Sequence, residues 1–458
     1  MATSPASSKS LEDAIRDAGT AIDMLRKNPQ RSFVFPNVPP EFTNWQEEQR
    51  AFRETVALSD MSHHMTELHL RGPDAVPFVK RFALNKLDPF PTSRGKQMVA
   101  VAPDGNMIGD AIMFREAEDF LRVVGAPSAI DWLQFQSQRD SYDMTAAIEH
   151  SSAIVPGPRD VFRLQIQGPN ALGLMNEVSG GTMPDIKFFH IGDAVIAGHP
   201  VKVLRHSMSG HAGFEIFGPW DGKEPVREAL IEVGAKYGLR LAGMRGGPVI
   251  TIEGGWLPNP LPAIYSGEEM APFRLWLTSS SFEAVASLGG SFGSRDVTEY
   301  YTDPFEAGYG QLIDFNRDFV GRDALLERQK SQRRKKVTLV WNNDDILAVF
   351  RSVLTGQNRG RLPEIPFATF ATFITDRVER NGRLVGQSRH QYGYSANVNA
   401  FISLAIVDIE SSKPGTEVKV LWGEYDRLSQ TVPEHEIHEI RATVAPSPYY
   451  ESHNKTGS

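Results

Sequence analysis

The residues of this chain best suited to chemistry are one carboxylate in apolar company, a scatter of histidines and a downstream arginine. Glu215 stands between Phe214 and Ile216, at the end of the run Arg205-His206-Ser207-Met208-Ser209-Gly210-His211-Ala212-Gly213. Glycines and small polar residues give way there to apolar alternation, the pattern of a tight turn feeding a strand. A carboxylate in an apolar strand needs a partner. Arg245 could be that partner in a structural ion pair, or it and Glu215 could together read a ring that carries several N–H donors. His63 and His64 are adjacent, so on a strand they point to opposite faces and at most one meets a given cavity. Taken alone, each reads as a hydrogen-bonded structural histidine. Asp110 lies at the turn of an apolar strand, where it is either a base or a turn-stabilising or capping carboxylate. There is no His-Glu-x-x-His and the other histidines are dispersed, so no metal is expected.

Composition narrows the classes. With no cysteine among 458 residues, disulfides, thiolate metal sites and thiol catalysis are excluded. A formal charge of −8 argues against nucleic acid as a partner, and the one basic run, Arg333-Arg334-Lys335-Lys336, reads as part of a solvated connector. No apolar run is long enough to span a bilayer. Met1 to Lys9 is rich in Ala, Ser and Pro, with no basic or apolar signal region, so a cytoplasmic address is expected. The length implies two or three domains.

The elements that must position these residues follow from periodicity. Ser10 with Asp13 reads as the cap of a helix through about Lys27, and Trp45, Phe52 and Val56 at helical spacing extend a second helix from Phe42 to Ser59. An aromatic strand, Ser32 to Pro36, lies between them. Two strand-turn-helix units follow. In the first, Leu68 and Leu70 precede Gly72-Pro73-Asp74-Ala75; in the second, Phe162 to Ile166 precedes Gln167-Gly168-Pro169-Asn170-Ala171. The shared Gly-Pro-Asp/Asn-Ala core, recurring after roughly a hundred residues, reads as a diverged internal repeat. A hairpin over Lys96 to Phe114 turns at Pro103-Asp104-Gly105-Asn106. A Pro-rich passage from Trp256 and a charged helix from Arg322 to Lys336 connect to short strands, 337–341, 383–388, 401–407, 417–422 and 439–444, that suggest a small barrel or sandwich.

In that order the motifs resemble the glycine-cleavage aminomethyltransferase (T-protein) family over nearly the whole chain: Gly-Pro-Asp-Ala, Asp104-Gly105-Asn106-Met107-Ile108-Gly109-Asp110, Gln167-Gly168-Pro169, Gly213-Phe214-Glu215-Ile216, Arg245, and Phe319-Val320-Gly321-Arg322-Asp323-Ala324-Leu325. The likeness is closer to its tetrahydrofolate-dependent aryl O-demethylases, through His63-His64-Met65, Phe188-Phe189, Leu204-Arg205-His206, Gly254-Gly255-Trp256-Leu257-Pro258 and Leu261-Pro262-Ala263-Ile264-Tyr265. The resemblance implies an α+β, three-domain T-protein-like ring with two related α+β domains and a C-terminal small β-barrel. It implies a folate domain of residues 1–61 plus 160–255, a second α+β domain of 62–159, an irregular connector of 256–336 and a barrel-like domain of 337–458.

It further implies tetrahydrofolate as cofactor, held by Glu215, Arg245 and Trp256, and an aromatic methyl ether as substrate. His64, His206 and Asp110 are the expected catalytic residues. Phe35, His63, Ala126, Gly247, Tyr265 and His390 are expected to line the substrate pocket. Three of these positions depart from the vanillate-demethylating relatives: Gly247 replaces their catalytic tyrosine, Ala126 an arginine and Phe35 a pocket tyrosine. An apolar pocket lacking a general acid suits a phenolate that is already a weak base, such as that of a chlorinated methoxybenzoate of the dicamba kind, with syringate or vanillate as the alternatives. Sulfonium or amine demethylation would require an acidic or aromatic cation-binding box. A monomer or homodimer, with neither nucleic acid nor membrane as partner, completes the expectation.

Overall fold

A computed structural model describes residues 9–30, 37–258, 260–365 and 371–450, the side chains of residues 390 and 391 excepted. The chain opens with α1 (Leu11–Ala18) and α2 (Ala21–Lys27). The capping box of Ser10 with Asp13 forms as expected, but the long helix does not. It breaks at Gly19, whose φ is 98°, and Thr20 caps a second helix. After α3 (Trp45–Glu54) the expected helix likewise ends early, in strand β1 (Val56–Asp60). Val56, Ala57 and Leu58 are all buried, because β1 is flanked by strands on both sides. A fully buried short run carries no periodicity by which strand and helix can be told apart.

From β1 the chain builds a five-stranded sheet before returning. That sheet holds β2 (Thr66–Arg71), β3 (Arg94–Val101), β4 (Met107–Ala117), β5 (Phe120–Gly125) and β6 (Thr145–Glu149), in the order β3-β4-β5-β2-β6. Helices α4 (Ala75–Phe82) and α5 (Pro127–Ser137) cover it. The return supplies β7 (Val161–Gln167), α6 (Ala171–Val178), β8 (Ile191–Ile196), β9 (His199–His206), β10 (Gly213–Pro219), α7 (Lys223–Gly234) and β11 (Leu239–Ala242). With β1 these strands form a sheet ordered β11-β1-β7-β10-β9-β8, and α6 and α7 close its core.

The repeat read from the sequence has a backbone cause. Gly72 and Gly168 leave their strands with φ of 137° and 135°, and in each case the alanine three residues on donates its N–H to the glycine carbonyl, opening an eight-residue helix. A side chain at Gly168 would come within 2.5 Å of the Thr55 carbonyl oxygen, and one at Gly72 within 2.3 Å of the Asp143 carbonyl. Only glycine fits both the φ and the space.

Next come α8 (Gly247–Glu253), α9 (Ala271–Trp276), α10 (Phe282–Val285), strand β12 (Ser287–Gly289) and α11 (Arg322–Lys330). The last sheet adds β13 (Arg334–Trp341), β14 (Thr372–Arg380), β15 (Arg383–Ser395), β16 (Ala400–Asp408), β17 (Glu417–Trp422) and β18 (His438–Ala445), with α12 (Asn343–Thr355) outside it. The sheet curls until β14 meets β17, but unevenly: that seam has two registered pairs where β13 and β16 have seven. The basic run is not on a solvated connector. The connecting helix stops at Lys330, and alternation along β13 turns Arg334 to Glu306 and Lys336 to the Ala307 carbonyl, leaving Lys335 exposed.

Each sheet layer touches the other two. Gly95 donates to the Phe189 carbonyl, joining the first two sheets. The α8 residue Glu253 receives Arg53 from α3 and Ser395 and Asn397 from the β15 edge. Met107 donates to Thr302, and Arg389 of β15 to Thr302 Oγ1.

Candidate functional site

Strand alternation gathers the polar side chains at the junction of the first two sheets. Arg163, Gln165 and Gln167 occupy alternate positions of β7 and so share one face. Register then brings Glu215 beside Gln165, and Gly213 beside both Gln167 and His206. The absence of a side chain at Gly213 matters, since a Cβ there would lie 2.2 Å from the Gln167 amide oxygen. On the same face Leu204 and Phe217 pack against Phe114 of β4, the two phenyl rings edge to face at 5.3 Å. This apolar clamp fixes the distance between the sheets and keeps water from the charges beside it.

Glu215 is 8% exposed and its ion partner is Arg163, whose Nη1 donates to Oε1 at 2.6 Å. Arg163 is held in turn by Glu67 at 2.8 Å, and Glu67 by Arg122 at 2.7 Å. Although burial opposes its charge, Glu67 is kept well below the usual carboxylate range by these two guanidinium groups. The pair of Glu215 with Arg245 does not form: Arg245 lies half-exposed, 3.5 Å from Glu41. Arg163 was missed in the sequence, although its signal was there, in the alternation of Arg163, Gln165 and Gln167 along an otherwise apolar strand.

His206 is buried, which pushes its ring below the ordinary histidine value against the pull of Glu215. Gln165 Nε2 donates to its Nε2 at 3.3 Å, so the proton of the neutral ring is on Nδ1. The Nε2 atom is 3.8 Å from Glu215 Oε2 and has no hydrogen to give it. That oxygen is thus left for a ligand donor.

The two adjacent histidines lie in the turn between β1 and β2 and not on a strand. Lys223 donates to His63 Nε2 at 3.1 Å, which places the His63 proton on Nδ1, 2.9 Å from Ser152 Oγ. Both ring nitrogens of His63 are thus engaged within the fold. His64 is buried, and desolvation lowers its pKa to about 4 against the opposing charge of Asp60. It is a neutral imidazole at any ordinary pH.

Asp110 neither stabilises a turn nor caps a helix. It is buried on β4, and its Oδ2 accepts from Gln97 at 3.0 Å, Trp256 Nε1 at 3.1 Å and the Tyr309 hydroxyl at 2.7 Å. Burial nonetheless pushes its pKa up. Lys336, close enough to feel that charge, is drawn down by burial to about 8. Trp256 donates its indole N–H to Asp110 and Tyr309.

Of the other expected pocket residues, Ala126 is buried at the start of α5 and Gly247 begins α8. A Cβ built on Gly247 meets nothing within 4 Å, so open space replaces the tyrosine of the vanillate-type relatives. Tyr265 is buried within the main apolar cluster, and its hydroxyl donates to the Glu283 carbonyl at 3.0 Å. Phe35 and the side chain of His390 lie outside the described residues. Among the described residues, the three acids and histidines close enough to hold a metal, Glu67, His69 and Glu149, are already faced by Arg122 and Arg159, which leaves no net charge for a cation.

Gln167 Nε2, Arg163 Nη2, Ser207 Oγ and Ser209 Oγ are buried without a hydrogen-bond partner in this region. Such atoms are costly unless a ligand satisfies them. Together with Glu215 Oε2 they present the mixed donor and acceptor set that a pterin ring needs, so the residues present fit tetrahydrofolate.

Residues 24–258 match the GCVT N-terminal domain. The chain is 39% identical over 444 residues to syringate O-demethylase of Sphingobium sp. (strain NBRC 103272 / SYK-6), covering 96% of each chain. It is 27% identical over 437 residues to sesamin methylene transferase of Sinomonas sp. (strain No.22), covering 92% of this chain and 91% of that one. The crystal structure of the glycine cleavage system aminomethyltransferase T from Bartonella henselae superposes with a TM-score of 0.61 at 16% identity, covering 92% and 95% of the two chains, which establishes the fold. The chain belongs to the GCVT family of tetrahydrofolate-dependent enzymes that transfer one-carbon groups.

Proposed function

We propose that this enzyme removes the methyl of an aryl methyl ether of the methoxybenzoate class, its preferred substrate being a chlorinated methoxybenzoate of the dicamba kind. The observation that carries the choice is the open space at Gly247, where a Cβ would meet nothing within 4 Å. A pocket without a phenol donor there favours a ring whose phenolate leaves without being protonated. The 39% identity to a syringate O-demethylase supports aryl ether demethylation and makes syringate the second reading.

Tetrahydrofolate supplies the nucleophilic N5 that takes the methyl. The residues of this chain supply position and field. Glu215, its Oε1 pinned by Arg163, accepts from the pterin N–H edge through Oε2, while Gln167, whose oxygen accepts from the Met208 N–H, donates its unpartnered Nε2 to the ring. Arg245, expected at the pterin, has a half-exposed side chain 3.5 Å from Glu41. His64, uncharged, offers a hydrogen bond to the ether oxygen or to the substrate carboxylate. Asp110, fixed by Trp256 and Tyr309, holds negative charge or a proton in the dry centre of the ring. Holding two partners at near-attack distance supplies most of the acceleration in such a transfer.

The test is initial-rate comparison of chlorinated, hydroxylated and unsubstituted methoxybenzoates at fixed tetrahydrofolate. The expected result is a kcat/KM about tenfold or more higher for the chlorinated ring than for vanillate. A preference for vanillate overturns the chlorinated assignment, and a preference for syringate favours the second reading.

A further inference from the structure

Alternation along β13 sends Arg334 and Lys336 to one face, and these two inward cations grip a single loop, residues 303–309. Arg334 Nε meets Glu306 Oε1, and Lys336 Nζ donates to the Ala307 carbonyl at 2.6 Å. The loop is tight. Asp303 Oδ1 accepts from the main-chain N–H groups of Phe305 and Glu306, and the Tyr309 N–H returns to the Pro304 carbonyl at 2.6 Å. Gly308 leaves room for the ammonium group, since a Cβ there would come within 3.1 Å of Nζ, and its φ of 90° suits glycine. The next residue, Tyr309, lays its hydroxyl 2.7 Å from Asp110 Oδ2. The carbonyl that holds Lys336 is therefore two residues from the phenol that holds Asp110.

Arg334 has a carboxylate partner, whereas Lys336 forms no ion pair among the described residues. The anion it feels is Asp110, which opposes the burial that draws the lysine down to about 8. The groups around the cluster leave that balance in place. Glu306 is spent on Arg334 and Asp303 on Arg328, Gln97 and Trp256 are neutral, and Ile406, the register partner of Lys336 on β16, is apolar. Gln97, Trp256 and Tyr309 all donate to the same oxygen of Asp110, Oδ2, and none of them is charged. Lys336 adds the charge that they lack.

We infer that Lys336 is a positioning residue for the methyl transfer: through Ala307 it holds the loop that aims Tyr309 at Asp110, and by its charge it keeps Asp110 ionised. The inference rests on the proposed place of Asp110 in the dry centre and decides between the two states given for it there, anion and acid. A cation carried in from the last sheet thus sets the state of a carboxyl on the second.

The test compares the full-length wild type with Lys336→Met, Lys336→Arg and, as a control, Lys335→Met, which alters the exposed neighbour on the same strand. In the wild type kcat should fall above about pH 8 as Lys336 loses its proton. An arginine keeps its charge throughout that range, so in Lys336→Arg the fall should disappear. Lys336→Met should turn over about tenfold more slowly with no alkaline fall, while KM for tetrahydrofolate and for the aryl ether stays within about twofold of wild type. Lys335→Met should match the wild type. A second readout needs no turnover: the infrared carboxyl band of Asp110, identified by its loss in Asp110→Asn, should titrate about one pH unit higher in Lys336→Met than in the wild type. No fall in the wild type, its persistence in Lys336→Arg, or an unshifted Asp110 band in Lys336→Met overturns the inference. So does an equal loss in Lys335→Met, because the effect then belongs to the strand as a whole. If Lys336→Met does not fold, the presence or absence of the fall in Lys336→Arg decides alone. A shifted Asp110 band in an enzyme that takes methyl from no aryl ether contradicts the proposed activity and leaves the coupling of Lys336 to Asp110 standing.

Discussion

At the scale of single residues, the site depends on which groups are charged. Glu215 and Arg163 form a buried ion pair whose second carboxylate oxygen is free to accept from a ligand. Glu215→Gln keeps the volume and loses the charge, and Arg163 retains Glu67, so the protein should fold while its KM for tetrahydrofolate rises about 10- to 100-fold, as removal of a charge-assisted bond implies. Steady-state kinetics checks this; an unchanged KM would return Glu215 to a purely structural role. His64 gives a second expectation. With its pKa lowered to about 4 by burial, it is deprotonated throughout the neutral range, and kcat/KM should show no acidic limb from this residue between about pH 5.5 and 8. A limb near 6.5 that disappears in His64→Gln would mean the ring is charged in the working enzyme. Because its folded-state value is depressed, this histidine costs stability only as pH falls below about 6.5 toward 4.

At the scale of elements, glycines decide where strands turn into helices. Gly168 takes φ of 135° and has the Thr55 carbonyl 2.5 Å from where a Cβ would sit, so Gly168→Ala should lose about 2 kcal/mol or more, whereas Gly247→Ala, with nothing in reach, should stay within about 1 kcal/mol of wild type by chemical denaturation. Equal losses would contradict the geometry of the repeated turn. The same elements explain what could be read in advance. The repeat, the hairpin at Asp104-Gly105-Asn106 and five strands of the last sheet were legible, because each couples alternation to a turn residue with a special φ. Strand β1 was not, since a run buried on both sides lacks a period, and neither was the break at Gly19, which a helical pattern on both sides concealed. Within the site, Glu215 stood out as a charge in an apolar strand, but its partner could not be found by reading along the chain. Arg163 reaches Glu215 through antiparallel register, and its alternation with Gln165 and Gln167 does not say by itself which strand lies beside it. Tyr265 lay in a shared motif for the opposite reason: its hydroxyl holds the core together.

At the scale of the whole molecule, three sheets meet in pairs, and the residues with unspent hydrogen-bonding capacity collect where they do. The clamp of Phe114 with Phe217 and Leu204 joins the first two, Glu253 ties the first to the third, and the Asp110 cluster draws on the second sheet, the connector and, through Lys336, the third. We propose the division into residues 1–61 plus 160–255, 62–159, 256–336 and 337–458 on this basis, the first part carrying the pterin acceptor and the second the buried carboxylate. Among the described residues no helix is long and apolar enough to cross a membrane. The most direct measurement follows the carbon itself, using a methoxybenzoate labelled with 13C in its ether methyl, incubated with the purified enzyme and tetrahydrofolate. The account predicts that the label appears on N5 of tetrahydrofolate in a one-to-one ratio with the phenol released. Phenol released without methylated folate, or no transfer from any aryl ether of the panel, would contradict it.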